Sequence, residues 1–425
     1  VRDGHNWKDY NVALIERLID IMGETIKGDV LIIGGGISGI CAAVEIAEFG
    51  HHVTIVEKDS SLGGRVSRSY QYFPKLCPPY CGLEIYYKRI RSNPNIDMIT
   101  MGEVEKIDGS VGDYTVTVNV APRYVNGKCT ACGDCVKVCP VERSNTWNYG
   151  MDTTKAIYLP HELSFPLRYV IDDNVCPGQE CAKCVDACKY EAIELDMKPD
   201  KIELKADAVI VATGWKPYDA SKVDYYHFGE FKNVINNTMM ERIAAPNGPT
   251  KGELLRPSDQ KKVEKVAFVQ CAGSRDESHL PFCSSVCCMA SLKQSNYIRE
   301  FNPDAEINIF YIDLRAPGRH EDFLQKMQKD EKLNLIKGKV AEIQEDSGSG
   351  DLTVVAEDIY SGKKYHQTVD LVVLATGMQP TLADEKVPFD ISADKNGFFP
   401  DDNGSHEGIY FLGCAKSPSD VSTCI

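Results

Sequence analysis

The chain has 425 residues, 43% hydrophobic and 26% charged, an ordinary globular composition that excludes a disordered or fibrous chain and allows two or three domains of ~150 residues. Lys and Arg number 47 against 62 Asp and Glu, a formal net charge of −15, whereas a nucleic-acid surface needs excess positive charge to release counterions. No nucleic-acid partner is expected, and with no apolar run near the ~18 residues that cross a bilayer, no direct membrane span is predicted.

Residues 1–28 read as an amphipathic helix, with Val12, Leu14, Ile15, Leu18, Ile19, Ile21 and Met22 on one side. The apolar run from Asp29 to Ile33 predicts a buried parallel strand. It enters Gly34-Gly35-Gly36-Ile37-Ser38-Gly39, a helical pattern runs on to Ala47, and a second strand over 52–56 ends in Glu57. Strand, glycine-rich turn, helix, strand and acid in this order form a dinucleotide fingerprint. Its glycines let a pyrophosphate approach the helix N-terminus, and an acid about 20 residues on can accept from a ribose hydroxyl.

Seventeen cysteines are too many for an average enzyme and too few for a small disulfide scaffold. Most stand two or three residues apart and no signal peptide precedes them, which predicts metal ligands in a reducing compartment. Between a strand at 114–118 and one ending at Ala212 lies Cys129-x2-Cys132-x2-Cys135-x3-Cys139-Pro140, the bacterial ferredoxin spacing. Cys176-x4-Cys181-x2-Cys184-x3-Cys188 follows, the same rhythm with its first gap lengthened by two. In two-cluster ferredoxins the fourth cysteine of each run ligates the other cluster. One [4Fe–4S] cluster is therefore assigned to Cys129, Cys132, Cys135 and Cys188, and the other to Cys176, Cys181, Cys184 and Cys139, with zinc as the competing occupant.

Further on, the strand Val266–Gln270 leads into Cys271-Ala272-Gly273-Ser274-Arg275 where a second nucleotide site would show GxGxxG. A helix is expected after Phe282, and a strand over 307–312. Cys271, Cys283, Cys287 and Cys288 are candidate ligands of a third cluster, the alternative being buried small hydrophobes. Asp276, Glu277 and Asp313 add negative charge, so NAD(P) binding is disfavoured. For Cys77 and Cys81 three readings stay open: a thiol pair near a flavin, ligands to another centre, or structure alone. Cys41 reads as core, and no spacing gives Cys414 or Cys424 a role. The histidines are scattered, and no triad or metallohydrolase constellation is present.

The turn Gly63-Gly64-Arg65 and the strand ends Ala212-Thr213-Gly214 and Ala375-Thr376-Gly377 resemble the landmarks of thioredoxin reductase-type flavoproteins. The resemblance implies an α/β fold of two Rossmann-like dinucleotide-binding domains, from which the cysteine-rich insertion departs as a ferredoxin-like α+β module. It divides the chain into the N-terminal helix (1–28), a first FAD-binding part (29–120), the insertion (121–200), a second FAD-binding part with a connector (201–260), the second Rossmann-like domain (261–377) and a returning FAD-binding part (378–425). The implied FAD contacts are Gly34, Gly36, Ser38, Gly39, Glu57, Lys58, Gly64, Arg65, Val104, Ala212, Thr213, Gly214 and Gly413.

The segments 72–79, 121–125, 152–161 and 282–288, with Gln270–Asp276, resemble the flavin-bearing A subunits of heterodisulfide reductases and, more closely, the A subunits of quinone-interacting membrane-bound oxidoreductases of sulfate-reducing bacteria. That resemblance implies a cytoplasmic protein, membrane-associated through its partners. The partners would be a membrane subunit handling menaquinol and a second flavin and iron–sulfur subunit, with electron transfer serving adenylylsulfate (APS) reductase. A flavin-based bifurcating heterodisulfide reductase-like subunit is the first competing expectation, weighed down by the lack of a further ferredoxin module in the sequence. A scaffold with an inert flavin is the second.

Overall fold

The run Val30–Ile33 is apolar throughout, and in the computed structural model it forms β1, the central strand of a parallel sheet, with Val30, Leu31 and Ile32 buried. The structure describes residues 29–318, 320–360, 362–385, 388–389, 391–399 and 408–425; the amphipathic helix expected over 1–28 lies outside them. Helix α1 (Ile37–Glu48) crosses from β1 to β2 (Val53–Glu57), and α2 (Tyr80–Ser92) leads to β3 (Ile96–Thr100). A meander follows, β4 (Gly102–Ser110) and β5 (Asp113–Val120).

The insertion interrupts the chain here. It holds two five-residue helices, α3 (Asp134–Val138) and α4 (Lys183–Ala187), and two short antiparallel ladders: β6 (Glu142–Ser144) with β7 (Thr153–Lys155), and β8 (Ile157–Tyr158) with β9 (Val170–Ile171). Its small core is Val125, Ile157, Ile171, Ala192 and Ile193, with the cysteines packed around it. The chain returns as β10 (Asp200–Ala206), which pairs with β5, and β11 (Ala208–Val211), which lies parallel to β1 in the register Val30 to Ala208.

After β12 (Trp215–Pro217) the chain builds a second parallel sheet from β13 (Val234–Asn236), β14 (Lys265–Ala272), β15 (Glu306–Tyr311) and β16 (Leu333–Lys337). Helices α5 (Asn237–Ala244), α6 (Cys287–Phe301) and α7 (His320–Met327) connect them. Asn236 caps α5, its side chain accepting from Met239 N at 2.9 Å. A meander of β17 (Val340–Glu345), β18 (Leu352–Glu357) and β19 (Lys364–Val369) precedes β20 (Leu371–Thr376), which inserts between β13 and β14. Then β21 (Met378–Pro380) pairs with β12 as the return crossing, and β22 (Ile409–Phe411) completes the first sheet in the order β22-β11-β1-β2-β3. The chain ends in the short helix α8 (Val421–Cys424).

Two details differ from the sequence expectations. The stretch read as connector up to 260 already contributes β13 and α5 to the second sheet, because Val234 and Ile235 are apolar and fully buried against β20. Helix α6 starts at Cys287 rather than directly after Phe282. Ser285 sits at φ 62, and the Ser284 hydroxyl accepts from Met378 N at 2.8 Å, so residues 283–286 form a pinned turn.

Candidate flavin cleft and thiol-ringed cavities

The carboxyl ends of β1 and β11 meet where the strand order reverses, the usual ligand position in an open α/β sheet. A cleft of about 350 Å³ opens there. Of the thirteen expected FAD contacts, eleven line it: Gly34, Gly36, Ser38, Glu57, Lys58, Gly64, Arg65, Val104, Ala212, Thr213 and Gly214. The other two face protein. A Cβ at Gly39 would lie 2.0 Å from Gly34 O, and one at Gly413 would lie 2.2 Å from Ser38 Oγ. Gly39 lets α1 pack on the glycine turn, and Gly413 lets the turn after β22 pack on α1.

Gly36 differs from both. A Cβ built there meets no protein atom within 4 Å, so the space beside it belongs to the cleft. It also stands at the N-terminus of α1, which has no side-chain cap and no acid in its first turn, leaving free N–H groups for an anion. Arg65 and Arg68 line the same cleft; Arg65 Nε donates to Trp215 O, and its guanidinium lies 5.5 Å from the Trp215 ring centroid. Thr213 Oγ1 is buried without a protein partner, a polar atom that a bound ligand would satisfy. Glu57 accepts from Gly35 N at 2.6 Å and Asp59 N at 2.7 Å. Burial, with Asp59 beside it, pushes its carboxyl up to about 7. Open glycine, uncapped helix end, cations and acid fit a dinucleotide such as FAD.

In the insertion the thiols fall into two rings. Cys129, Cys132, Cys135 and Cys188 line one cavity; Cys139, Cys176, Cys181 and Cys184 line another. The division is the crosswise one expected from spacing. Left-handed residues make it feasible: Gly133 at φ 84 and Ala182 at φ 46 turn the chain into α3 and α4 between consecutive thiols. The two extra residues after Cys176 are taken up by a 3-10 turn over Gly178–Glu180, which returns Cys181 to the same cavity. Among the described residues no group of three or more His, Cys, Asp or Glu closes on a single metal ion. Four thiols around a cavity suit a polynuclear centre better than zinc. Burial first, with neighbouring thiols adding, pushes Cys135 up to about 12 and Cys184 to about 11, so these two stay protonated when bare and a cation would be needed to hold them as thiolates.

A third small cavity is lined by Cys271, Cys283, Cys287 and Cys288, with Ser274, Arg275, Asp313 and Arg315 around it. Cys271 is carried there by a bulge in β14 that sets it at φ 58, and Cys287 and Cys288 open α6. The negative charge expected here is largely offset: Arg275 holds Asp313 at 2.8 Å with Arg315 alongside, and Lys339 holds Asp276 at 3.2 Å. Cys77, in the turn before α2, and Cys81, exposed in its first turn, do not line the flavin cleft. Cys41 is buried in α1 as expected. Sequence reasoning gave Cys414 and Cys424 no role, yet they line the cleft together, and it missed Arg123, which ties the insertion to the first domain.

Two parallel sheets with a glycine-turn cleft at the switch point of the first form the thioredoxin reductase-like fold. The model for FAD dependent oxidoreductases matches residues 29–81, and thioredoxin reductase of T. acidophilum superposes with a TM-score of 0.51 over 94% of both chains at 15% identity. Over nearly its whole length the chain is homologous to the A subunits of heterodisulfide reductases. The first of the two iron–sulfur A subunits of the CoB–CoM heterodisulfide reductase of Methanopyrus kandleri is 38% identical over 97% of this chain and 65% of its own length. Its counterpart in the ferredoxin/F(420)H(2)-dependent CoB–CoM heterodisulfide reductase of Methanosarcina acetivorans is 39% identical over 93% and 51%. The counterpart in the H(2):CoB–CoM heterodisulfide,ferredoxin reductase of Methanothermobacter thermautotrophicus is 36% identical over 93% and 61%. The chain thus spans between half and two thirds of the length of these relatives.

Proposed function

We propose that the chain is the FAD and iron–sulfur electron-transfer part of a heterodisulfide reductase-like complex, with FAD in the cleft, two [4Fe–4S] clusters in the insertion and a third among Cys271, Cys283, Cys287 and Cys288. The observation that carries this reading is the sorting of eight insertion thiols into two crosswise rings, in one chain with a glycine-turn cleft. A flavin accepts two electrons together and releases them singly, and each cluster carries one. The protein's share is to hold these centres. Gly34, Gly36 and the α1 N-terminus would receive the pyrophosphate, Glu57 the ribose, and Arg65 and Arg68 would balance phosphate charge. Arg123 fixes the insertion against the first domain. It is 5% exposed, donating to Thr100 Oγ1 at 2.9 Å, Arg168 O at 3.1 Å, Tyr169 O at 3.4 Å and Ser60 O. Tyr169 borders the first thiol ring, and Ser60 adjoins Asp59 of the flavin cleft.

The relatives' names favour a heterodisulfide reductase-like, ferredoxin-linked assembly, with electron bifurcation among its forms, over the menaquinol- and APS reductase-linked one. No helix among the described residues is long and apolar enough to cross a membrane. The test is the chain purified apart from its partners, then the complex. Flavin extraction from the isolated chain should give one FAD, and iron and sulfide about twelve each for three four-iron clusters. Absence of iron–sulfur absorbance would overturn the reading. Reduction of a heterodisulfide by the co-purified complex, against oxidation of a menaquinol analogue, decides between the two assemblies.

A further inference from the structure

The turn after β22 and helix α8 bring together two cysteines ten residues apart. Their Sγ atoms lie 3.7 Å from one another, and both side chains border the flavin cleft. Gly413, at φ 58, makes the turn possible; a Cβ there would lie 2.2 Å from Ser38 Oγ and 3.6 Å from Cys424 Sγ. The pair therefore sits against the first turn of α1, beside the glycine loop. Cys414 is 6% exposed, and its Sγ lies 3.5 Å from Ser419 O. No third thiol joins them, since Cys41 turns to Tyr86 Oη at 3.5 Å. A metal cluster is thus not the natural occupant, but a sulfur–sulfur bond is within reach: closure from 3.7 Å to the ~2.0 Å of a disulfide needs a shift of under ~2 Å.

The two sulfurs are not equivalent. The hydrogen bond between them, with burial, keeps the proton on Cys414, while the same bond and one to Ser38 hold Cys424 below the ordinary thiol range. Two sulfurs in contact, one with its pKa lowered and its neighbour's raised, favour the lowered one as the attacking sulfur in thiol–disulfide chemistry.

We propose that Cys414 and Cys424 form a dithiol–disulfide couple that exchanges two electrons with the flavin of this cleft, a role that rests on the reading of the cleft as an FAD site. In one direction the two S–H bonds break and the Sγ–Sγ bond forms. The two electrons and two protons released reduce the flavin. In the other direction reduced flavin returns them and the disulfide opens to two thiols. The couple would give the chain a two-electron store next to the flavin, separate from the one-electron clusters.

The test uses the holoprotein under anaerobic conditions. Samples poised fully reduced and fully oxidised are acid-quenched, alkylated with iodoacetamide in denaturant and digested with trypsin. Cleavage after Lys416 separates the two cysteines, so a disulfide appears as one cross-linked species and a dithiol as two alkylated peptides. The reduced sample should show the peptides and the oxidised sample the cross-link. In a reductive titration the wild type should take up about two more electrons per flavin than Cys414→Ser/Cys424→Ser. Two alkylated thiols in oxidised, flavin-replete wild type would overturn the couple, even if the double variant fails to fold. Cross-link formation in Gly36→Val as fast as in wild type would overturn exchange with the flavin, whereas a slowing of at least tenfold supports it. Purified wild type without flavin would instead overturn the reading of the cleft, an outcome separate from the alkylation result.

Discussion

Single residues decide whether the cleft can hold its ligand. Gly36 has φ −74 and ψ −177, an extended backbone that any residue adopts, and its missing Cβ faces open space. Gly36→Val should therefore fold normally and purify without flavin, checked by circular dichroism and flavin absorbance; full FAD content would contradict the assignment. Glu57 supplies a pH signature. Its carboxyl lies at about 7 in the folded protein against an ordinary 4.5, so the cost of ionising it is absent below 4.5, grows between 4.5 and 7 and is complete above. At roughly 1.4 kcal/mol per pH unit that cost reaches about 3 kcal/mol. Ribose hydroxyls donating to the carboxylate would offset it, so FAD binding should release a proton in this window. FAD affinity measured by fluorescence should rise toward pH 7 by at most ~10-fold per unit and level off above, while Glu57→Gln should flatten the profile. A wild-type affinity that does not vary with pH would remove Glu57 from the site.

At the level of elements, the insertion was largely legible because ligand spacing is a local property. Three short gaps and a proline group the thiols of a candidate cluster site before any tertiary contact is known. The lengthened gap at Cys176 looked like a weakness, and its turn over Gly178–Glu180 shows how two residues are absorbed without moving the thiol away. Cys132→Ser should lose one cluster of the insertion and keep the other, seen as a fall of about four iron per chain. Loss of both would mean that the rings do not fold independently. What could not be read was the attachment of the insertion, since Arg123 acts through carbonyls and one hydroxyl that lie distant in sequence. Burial draws its guanidinium down to about 10, still charged at neutral pH. Arg123→Ala leaves several of these acceptors without a donor and should cost about 2–4 kcal/mol, read as a lower thermal midpoint with cofactor content unchanged. A midpoint equal to wild type would assign the attachment elsewhere, for instance to Phe165, which stacks on Tyr87 at 5.0 Å.

Across the whole molecule the same nucleotide-binding architecture occurs twice, and among the described residues the first copy offers a cradle. Apolar runs and strand–helix order made both sheets legible, but what disfavours a nucleotide on the second was only half visible. The sequence showed thiols and acids where glycines belong. In the structure Asp313 is paired with Arg275 and Arg315 and Asp276 with Lys339, so charge repulsion is a minor part of the exclusion. The larger part is steric. Gly273, at φ 83 in the turn after β14, is covered by Tyr218, whose Cδ1 would lie 2.5 Å from a Cβ there, and Tyr218 is itself held by a hydrogen bond to His279 at 2.9 Å. The corresponding space at Gly36 is empty. Helix α6 begins only at Cys287, so its N-terminal N–H groups stand behind the four thiols rather than behind a glycine loop. A pyrophosphate would find neither the approach nor the donors it needs. NADH and NADPH should thus neither bind tightly nor bleach the flavin in an anaerobic stopped-flow experiment, whereas dithionite should bleach it fully. Flavin reduction within a second by micromolar NADH would show that Tyr218 moves aside and that the second sheet has kept its nucleotide.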